Sequence, residues 1–414
     1  MDLIIGAGVT GLSYANFTKN DYLILEANSE IGGYCKTIKK DGFVWDYSGH
    51  FFHFGDKDIK RYVFDRIEEQ TIYEVKKKTQ IFYNGLYIDF PFQKNIHQLP
   101  KSEFIDCLYD LYHREEAEVA TFKDMLLSKF GDAICEKFLI PYNEKLYACD
   151  LDKLDKDAMG RFFPYADIKN IVDNFRNPNV ESYNNTFVYP EGGAIEYVKA
   201  LKKEVEDDKV LLNNGVSSIN VDKKVVTTTT GATFSYDNLI NTMPFNQLLN
   251  MTGFKENIDV YSSNKVLVFN LGFDLPSSTD NHWIYYPSKD YVFYRIGLYS
   301  SIFGSKKMSL YVEIGRSSTD PDENRDKLLS RVLSDLKKAG IITSQKLISH
   351  AYIEMDPAYV HVNESSEDDM KEKMILLNKQ NVYSVGRYGA WRYCSIEDNI
   401  LEAKSLAEII NQER

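Results

Sequence analysis

Short apolar runs broken by glycine turns open the chain. Residues 3–5 (Leu-Ile-Ile) read as a buried strand, Gly6-Ala7-Gly8-Val9-Thr10-Gly11 as a turn, and the residues up to about Thr18 as a helix. Tyr22-Leu-Ile-Leu-Glu26 reads as a second strand. From about 97 to 165 the apolar positions take helical spacing, interrupted at Leu99-Pro100 and Ile140-Pro141. Residues 209–244 return to strands, with a Val-Thr-rich hairpin from Val225 to Thr233 and the apolar pair Leu239-Ile240. Residues 256–315 alternate in strand fashion, as in Lys265-Val-Leu-Val-Phe-Asn-Leu271. Two amphipathic helices are predicted at 322–339 and 398–411. There is no internal repeat and no low-complexity linker. The charge runs at 76–78 and 367–373 read as solvated faces.

Composition narrows the class. A chain of 414 residues suggests two or three domains, and 43% hydrophobic with 27% charged residues is a globular composition. The formal charge of −12 disfavours a nucleic-acid binder, which needs a basic field, so an anionic ligand would have to be held by a few placed arginines. The 29 Tyr and 24 Phe suggest pockets that offer both flat rings and hydroxyls. Five scattered cysteines without C-x-x-C give neither a disulfide framework nor a zinc site. His50 and His53 stand at i, i+3 but no Cys or carboxylate partner has ligand spacing, so no metal is expected. With no membrane-length apolar run and no signal peptide pattern, the expectation is a cytoplasmic enzyme.

The first motif carries chemistry. G-x-G-x-x-G between a strand and a helix, with Glu26 closing the next strand, is the arrangement that binds a dinucleotide. Gly6, Gly8 and Gly11 permit the tight turn and the approach of backbone amides to a pyrophosphate, and Glu26 can accept from a ribose hydroxyl. Glu30-Ile-Gly-Gly-Tyr-Cys-Lys-Thr37 follows directly. A Gly-Gly pair just beyond the ribose-binding acid resembles the second FAD contact of flavin proteins of the glutathione-reductase and amine-oxidase type. The cofactor expected is therefore FAD, with Gly33, Tyr34 and Cys35 in that contact.

Six further segments, in order along the chain, resemble UDP-galactopyranose mutases, closest to the eukaryotic type. They are Asp46-Tyr-Ser-Gly-His-Phe-Phe-His53, Phe90-Pro-Phe-Gln-Lys-Asn-Ile96 and Pro141-Tyr-Asn-Glu-Lys145. The others are Phe187-Val-Tyr-Pro-Glu-Gly-Gly193, Trp283-Ile-Tyr-Tyr-Pro287 with Phe293-Tyr-Arg295, and Gly386-Arg-Tyr-Gly-Ala-Trp-Arg-Tyr393. The resemblance implies an α/β fold: a Rossmann-like FAD-binding domain with a helical insert and an antiparallel sheet domain. The boundaries expected are 1–75, 191–255 and 380–414 for the FAD domain and 96–165 for the helical domain. Residues 76–95, 166–190 and 256–379 would form the sheet domain that takes the substrate.

The same resemblance assigns roles. Gly49, His50, Val216, Arg387 and Asn399 would complete the FAD site, with His50 against the isoalloxazine. Arg161 and Arg295 would grip the pyrophosphate of a UDP-hexose, assisted by the hydroxyls of Tyr285, Tyr359 and Tyr393. His53, Phe90, Gln93 and Asn184 would line the uridine pocket, and Asn143, Tyr147 and Trp283 would stand near the sugar. His53, Phe90 and Tyr147 depart from the aromatic, Tyr and Trp usual at these places, which leaves the nucleotide and sugar open. The implied reaction interconverts UDP-galactopyranose and UDP-galactofuranose for polysaccharide synthesis without net redox: N5 of reduced flavin attacks the anomeric carbon, UDP leaves, and the ring opens and recloses. His50, Arg161 and Arg295 are then the catalytic side chains, a reductant such as NAD(P)H is implied, and a homo-oligomer is compatible. The competing expectations are a mutase for another NDP-sugar, an oxidoreductase of the amine-oxidase or protoporphyrinogen-oxidase type, and a non-catalytic nucleotide-sugar binder. A nucleophilic or flavin-linked Cys394 has no base beside it in sequence.

Overall fold

The computed structural model describes residues 1–114, 118–176 and 186–412. A five-stranded parallel sheet runs in the order Val382–Ser384, Asn238–Asn241, Asp2–Ile5, Tyr22–Leu25, Val210–Leu211. Its strands are near-continuous apolar runs because helices cover it. The helices Val9–Phe17, Ile195–Lys202 and Ile396–Gln412 pack on one side around Leu12, Val198, Ala403 and Ala407. The other side buries Leu3, Leu25, Leu239 and Val382 against Phe245, Leu248 and Leu377.

A second, seven-stranded sheet has the order Leu347–Met355, Asn264–Phe273, Ser309–Ser317, Arg295–Leu298, Trp283–Tyr285, Thr79–Tyr83, Leu86–Asp89. It is antiparallel except where Trp283–Tyr285 runs parallel to Thr79–Tyr83. No hairpin joins those two strands, so no turn dictates their direction. The strand Asn264–Phe273 is buried at every position, where simple alternation predicts one wet face. Val266 and Val268 pack on Trp45, Phe187 and Tyr311, while Leu267, Phe269 and Leu271 face Leu328, Val332 and Leu336 of the helix Arg325–Lys338. That helix begins three residues later than the periodicity predicts because the Asn324 side chain caps it, accepting from Lys327 N at 3.0 Å.

The region around 97–165 is helical, with Lys101–His113, Phe122–Phe130 and Ile140–Tyr147 around Phe92, Leu126, Phe130 and Phe138. The charge run 367–373 is only partly solvated. Asp369 is buried and accepts from Tyr261 Oη at 2.8 Å, and Lys373 is buried 3.3 Å from Glu256. No helix among the described residues is long and apolar enough to cross a membrane.

Gly11 fixes how the first helix sits on the first strand. A Cβ at this position would lie 2.0 Å from Gly6 O and 3.2 Å from an Ile4 methyl. Gly11→Ala should therefore force helix and strand apart and lower the unfolding free energy by about 1–3 kcal/mol, the usual cost of overpacking, read from urea denaturation.

Candidate functional site

A cavity of about 790 Å³ opens at the carboxyl ends of the parallel strands, against the second sheet. Open α/β sheets place their ligands in this position. Of the residues expected to hold the cofactor, Gly6, Gly8, Glu26, Gly33, Tyr34, Cys35, Gly49, His50, Val216, Arg387 and Asn399 all line it. Gly11 does not; it serves the packing described above. Gly8 caps the first helix without a side-chain acceptor, so the first-turn amides are left for an anion. Gly8 and Gly33 meet face to face: a Cβ on Gly33 would lie 3.7 Å from Gly8 Cα and would fill the groove between the two loops. The Glu26 carboxylate accepts from Ala7 N at 2.8 Å and from Asn28 N at 2.9 Å, which holds it at the cavity wall. At the far end Asn399 Oδ1 accepts from Thr10 Oγ1 and from Arg387 N, each at 2.8 Å, tying together the starts of the first and last helices. These residues fit a dinucleotide bound along both glycine loops.

Burial shapes the titration here. His50 Nδ1 lies 3.0 Å from Ser48 O, and burial lowers the imidazole pKa to about 4, so the ring is neutral at physiological pH. Burial pushes the Cys35 and Cys394 thiols up to about 12 and 11, so neither is a thiolate nucleophile.

Three expected substrate residues, Arg295, Tyr359 and Tyr393, line the same cavity. Arg295 makes a two-pronged contact with Glu313, Nη2 donating to Oε1 at 2.9 Å and Nε to Oε2. Glu313 is 1% exposed and also accepts from Ser48 Oγ, on the loop that ends in His50. Burial works against the Arg295 cation, but Glu313 together with Tyr359, Tyr311 and Tyr294 outweighs it and holds the guanidinium charged. Tyr359 and Tyr393 stack at 5.8 Å, with the Arg387 guanidinium 4.5 Å from the Tyr393 ring.

The remaining expected residues lie around this wall rather than in it. Tyr285 pairs with Arg295 across adjacent strands, and its ring is 5.1 Å from Phe90. Trp283 Nε1 donates to Tyr311 Oη, and its ring meets Phe51 at 4.1 Å. Tyr147 packs 5.8 Å from Tyr359. Gln93 and Asn143 are buried: Gln93 Nε2 donates to Pro164 O and Asn143 Nδ2 to Leu139 O, while both side-chain carbonyl oxygens have no partner among the described residues. His53 Nδ1 lies 2.8 Å from Thr186 O, so it and His50 face different carbonyls. Among the described residues no group of three or more His, Cys, Asp and Glu is placed to hold a metal. Arg161 stands apart, its half-exposed guanidinium 2.6 Å from Asp398 at the start of the last helix. The next residue, Phe162, meets Tyr393 edge-on at 5.0 Å. Asn184 lies outside the described residues.

Two residues of this region escaped the sequence reading. Glu313 was visible as a lone acid inside the otherwise uncharged segment Leu310-Tyr-Val-Glu-Ile314. Lys77 sits in the run read as a solvated face, yet its ammonium is 5.5 Å from the Phe90 ring and 6.0 Å from Trp283. Burial draws its pKa down to about 8. Only its neighbours Lys76 and Lys78 are exposed.

The His50 environment gives a signed prediction. The unfolded ring takes its proton near pH 6.5 and the folded one only near 4, so folding stability falls as pH drops between these values, by up to about 3 kcal/mol. NMR titration of the His50 ring should give a midpoint near 4, and His50→Gln should flatten the acid limb of the stability profile.

Comparison with known proteins agrees with this geometry. The structure is similar to that of a reduced UDP-galactopyranose mutase, with a TM-score of 0.92, 22% identity, and coverage of 100% of this chain and 94% of the other. At that identity the likeness establishes the fold. In sequence, the chain is 31% identical over 140 residues to protoporphyrinogen oxidase of Dictyostelium discoideum, covering 32% of this chain and 25% of that protein. It is 23% identical over 181 residues to the chloroplastic protoporphyrinogen oxidase 1 of Spinacia oleracea, covering 38% of this chain and 31% of that protein. The matched regions thus span about a quarter and a third of those relatives. Residues 12–411 match the family model described as flavin containing amine oxidoreductase. With both glycine loops in place, the chain belongs to the flavin-containing amine oxidoreductase family and takes FAD as its cofactor.

Proposed function

We propose that this protein is a flavin-dependent mutase of nucleoside-diphosphate hexoses, with UDP-galactopyranose and UDP-galactofuranose as the first pair to test. The observation that carries the reading is Arg295, a guanidinium held rigid by buried Glu313 in the wall of the FAD cavity. A planar fork fixed in a partly desolvated wall suits a phosphate oxygen pair. Reduced flavin, when bound, supplies the nucleophilic nitrogen of the chemistry. The chain supplies placement: Arg295 orients the diphosphate, and Tyr285 and Tyr359, whose hydroxyls burial keeps protonated, donate to it. Neutral His50 packs at the ring without adding charge. Arg161, whose guanidinium is half-exposed, exchanges Asp398 for the diphosphate, and Asp398 keeps its hydrogen bonds from Ser395. The unpartnered carbonyl oxygens of Gln93 and Asn143 are acceptors for nucleobase and sugar donors. Phe90, His53, Trp283 and Tyr147 complete those pockets.

A second reading, an FAD-dependent oxidoreductase, is favoured by the sequence likeness to protoporphyrinogen oxidases. Turnover separates the two. Dithionite-reduced protein incubated anaerobically with a panel of NDP-hexoses should form furanose product in large excess over reducing equivalents, scored by chromatography. One product per reducing equivalent would instead favour the oxidoreductase.

Arg295 is tested by binding. Arg295→Ala alone strands a buried carboxylate, so the variant to use is Arg295→Gln with Glu313→Gln, which removes both charges together. Loss of a charge-assisted contact worth about 1.5–3 kcal/mol should weaken UDP binding about 10- to 100-fold, with the flavin spectrum retained. Isothermal titration of UDP is the measurement, and an unchanged affinity would remove the nucleotide from the reading.

A further inference from the structure

The connection between the strands that carry Tyr285 and Arg295 closes around a lysine from another element. Lys145 Nζ lies 2.8 Å from Tyr286 O, 2.8 Å from Ser288 O, 2.9 Å from Tyr291 O and 2.6 Å from Phe293 O. An ammonium has three N–H groups and cannot give each of four acceptors its own hydrogen. The contact is therefore partly ion–dipole, as when a carbonyl shell replaces the hydration of a bare monovalent cation. Burial draws the Lys145 pKa down to about 7. The four convergent oxygens oppose that shift, because a neutral amine would turn its lone pair towards at least one of them.

The lysine is also fixed from behind. It lies in the last turn of Ile140–Tyr147, the helix that carries Asn143 and Tyr147. Its backbone rests on the sheet so closely that a Cβ at Gly315 would lie 2.1 Å from Lys145 O. Gly315 is two positions along the strand from Glu313, the partner of Arg295. The shell thus ties the connection to the strand that already holds Arg295. Glu144 and Lys289, 3.3 Å apart, add an outer tie, and Val292 N donates to Asp335 Oδ2 at 2.7 Å.

We propose that Lys145 acts as a tethered monovalent cation: its ammonium organises residues 286–293 into a carbonyl shell that positions Arg295 and Tyr285. Cutting the tether leaves a site for a free cation of similar size, such as potassium or methylammonium. Lys145 is a positioning residue, and the proposal stands whatever the substrate is.

The test uses FAD-loaded wild type, Lys145→Ala and Lys145→Met, each melted in choline, lithium, potassium and methylammonium chloride at equal ionic strength. Lys145→Ala should melt several degrees below wild type in choline and lithium. It should recover most of the loss, saturably, in potassium and methylammonium, as a ligand that binds only the folded state requires. Lys145→Met fills the shell without a charge and should stay low in every salt. UDP affinity of Lys145→Ala, titrated in the same salts, should fall and return with the melting temperature, which reports on Arg295. Absence of UDP binding in wild type would count against the nucleotide reading alone, leaving the thermal comparison to judge the shell. The proposal is overturned if Lys145→Ala matches wild type in choline or responds equally to choline and potassium. It is also overturned if Lys145→Ala fails to fold in potassium where Lys145→Met folds.

Discussion

A carboxylate buried inside a sheet must be paired, and the site is arranged around that requirement. Glu313 sits on a central strand among Val312, Ile314 and Leu310, where an unpaired charge is prohibitive. Arg295 is its register partner on the neighbouring strand, and Tyr294 N donates to Glu313 O at 3.1 Å, so backbone and side chains agree on one alignment. Removing one member of such a pair costs about 3–5 kcal/mol, far more than an exposed pair. Ser48 donates to the same carboxylate, which brings the His50 loop under the same constraint. The close approach of Tyr311 to Gly49 and Gly297, where any Cβ would strike its ring, closes the arrangement from below.

The chain is acidic overall, and its cavity is mixed in charge: Lys36, Arg295 and Arg387 line it alongside Glu26, Glu313, Glu354 and Asp356. Lys77 lies against the adjoining aromatic wall, and Phe162, the residue after Arg161, meets Tyr393. Exposed charges beyond a Debye length are screened, whereas charges in a low-dielectric wall keep their reach. The net charge of the chain therefore says little about the potential inside the cleft. The tyrosine surplus has a similar explanation. Rings such as Tyr294, Tyr311 and Tyr359 pack like Phe beside guanidinium groups while keeping a hydroxyl within their reach.

What was legible in the sequence was whatever the backbone demands. Gly6 and Gly33 have positive φ and Gly11 has no room for a Cβ, so the first turn could be read from spacing and the second from its resemblance to flavin proteins. Side-chain burial was less visible. Lys77, Asp369 and Lys373 belong to charge runs, and a run reads as a wet face unless tertiary contacts single out one member. The strand 264–273 looked half-solvated because alternation cannot reveal a second layer, here the helix Arg325–Lys338. Glu313 needed its neighbour in space, since a lone acid in an apolar strand is ambiguous until Arg295 is seen opposite.

The fold by itself does not choose between oxidation and isomerisation; the charge arrangement bears on the choice. Arg295 is already neutralised by Glu313, so an anion entering the cleft gains hydrogen bonds from it but little net Coulomb attraction. A diphosphate would need further cations that are not spoken for by buried acids. On the proposed reading Arg387 could meet that need: its guanidinium donates to the carbonyls of Cys394 and Ala358, each at 3.4 Å, and lies over tyrosine rings. Arg161 could meet it differently: its own guanidinium is half-exposed, and Asp398 keeps the hydrogen bonds from Ser395 N and Oγ if the pair opens. A neutral substrate awaiting hydride removal would gain nothing from these arginines and would have to desolvate them. The arginines thus support the proposed diphosphate over a neutral substrate, while Glu354 and Asp356 on the same wall leave the choice against an amine to turnover.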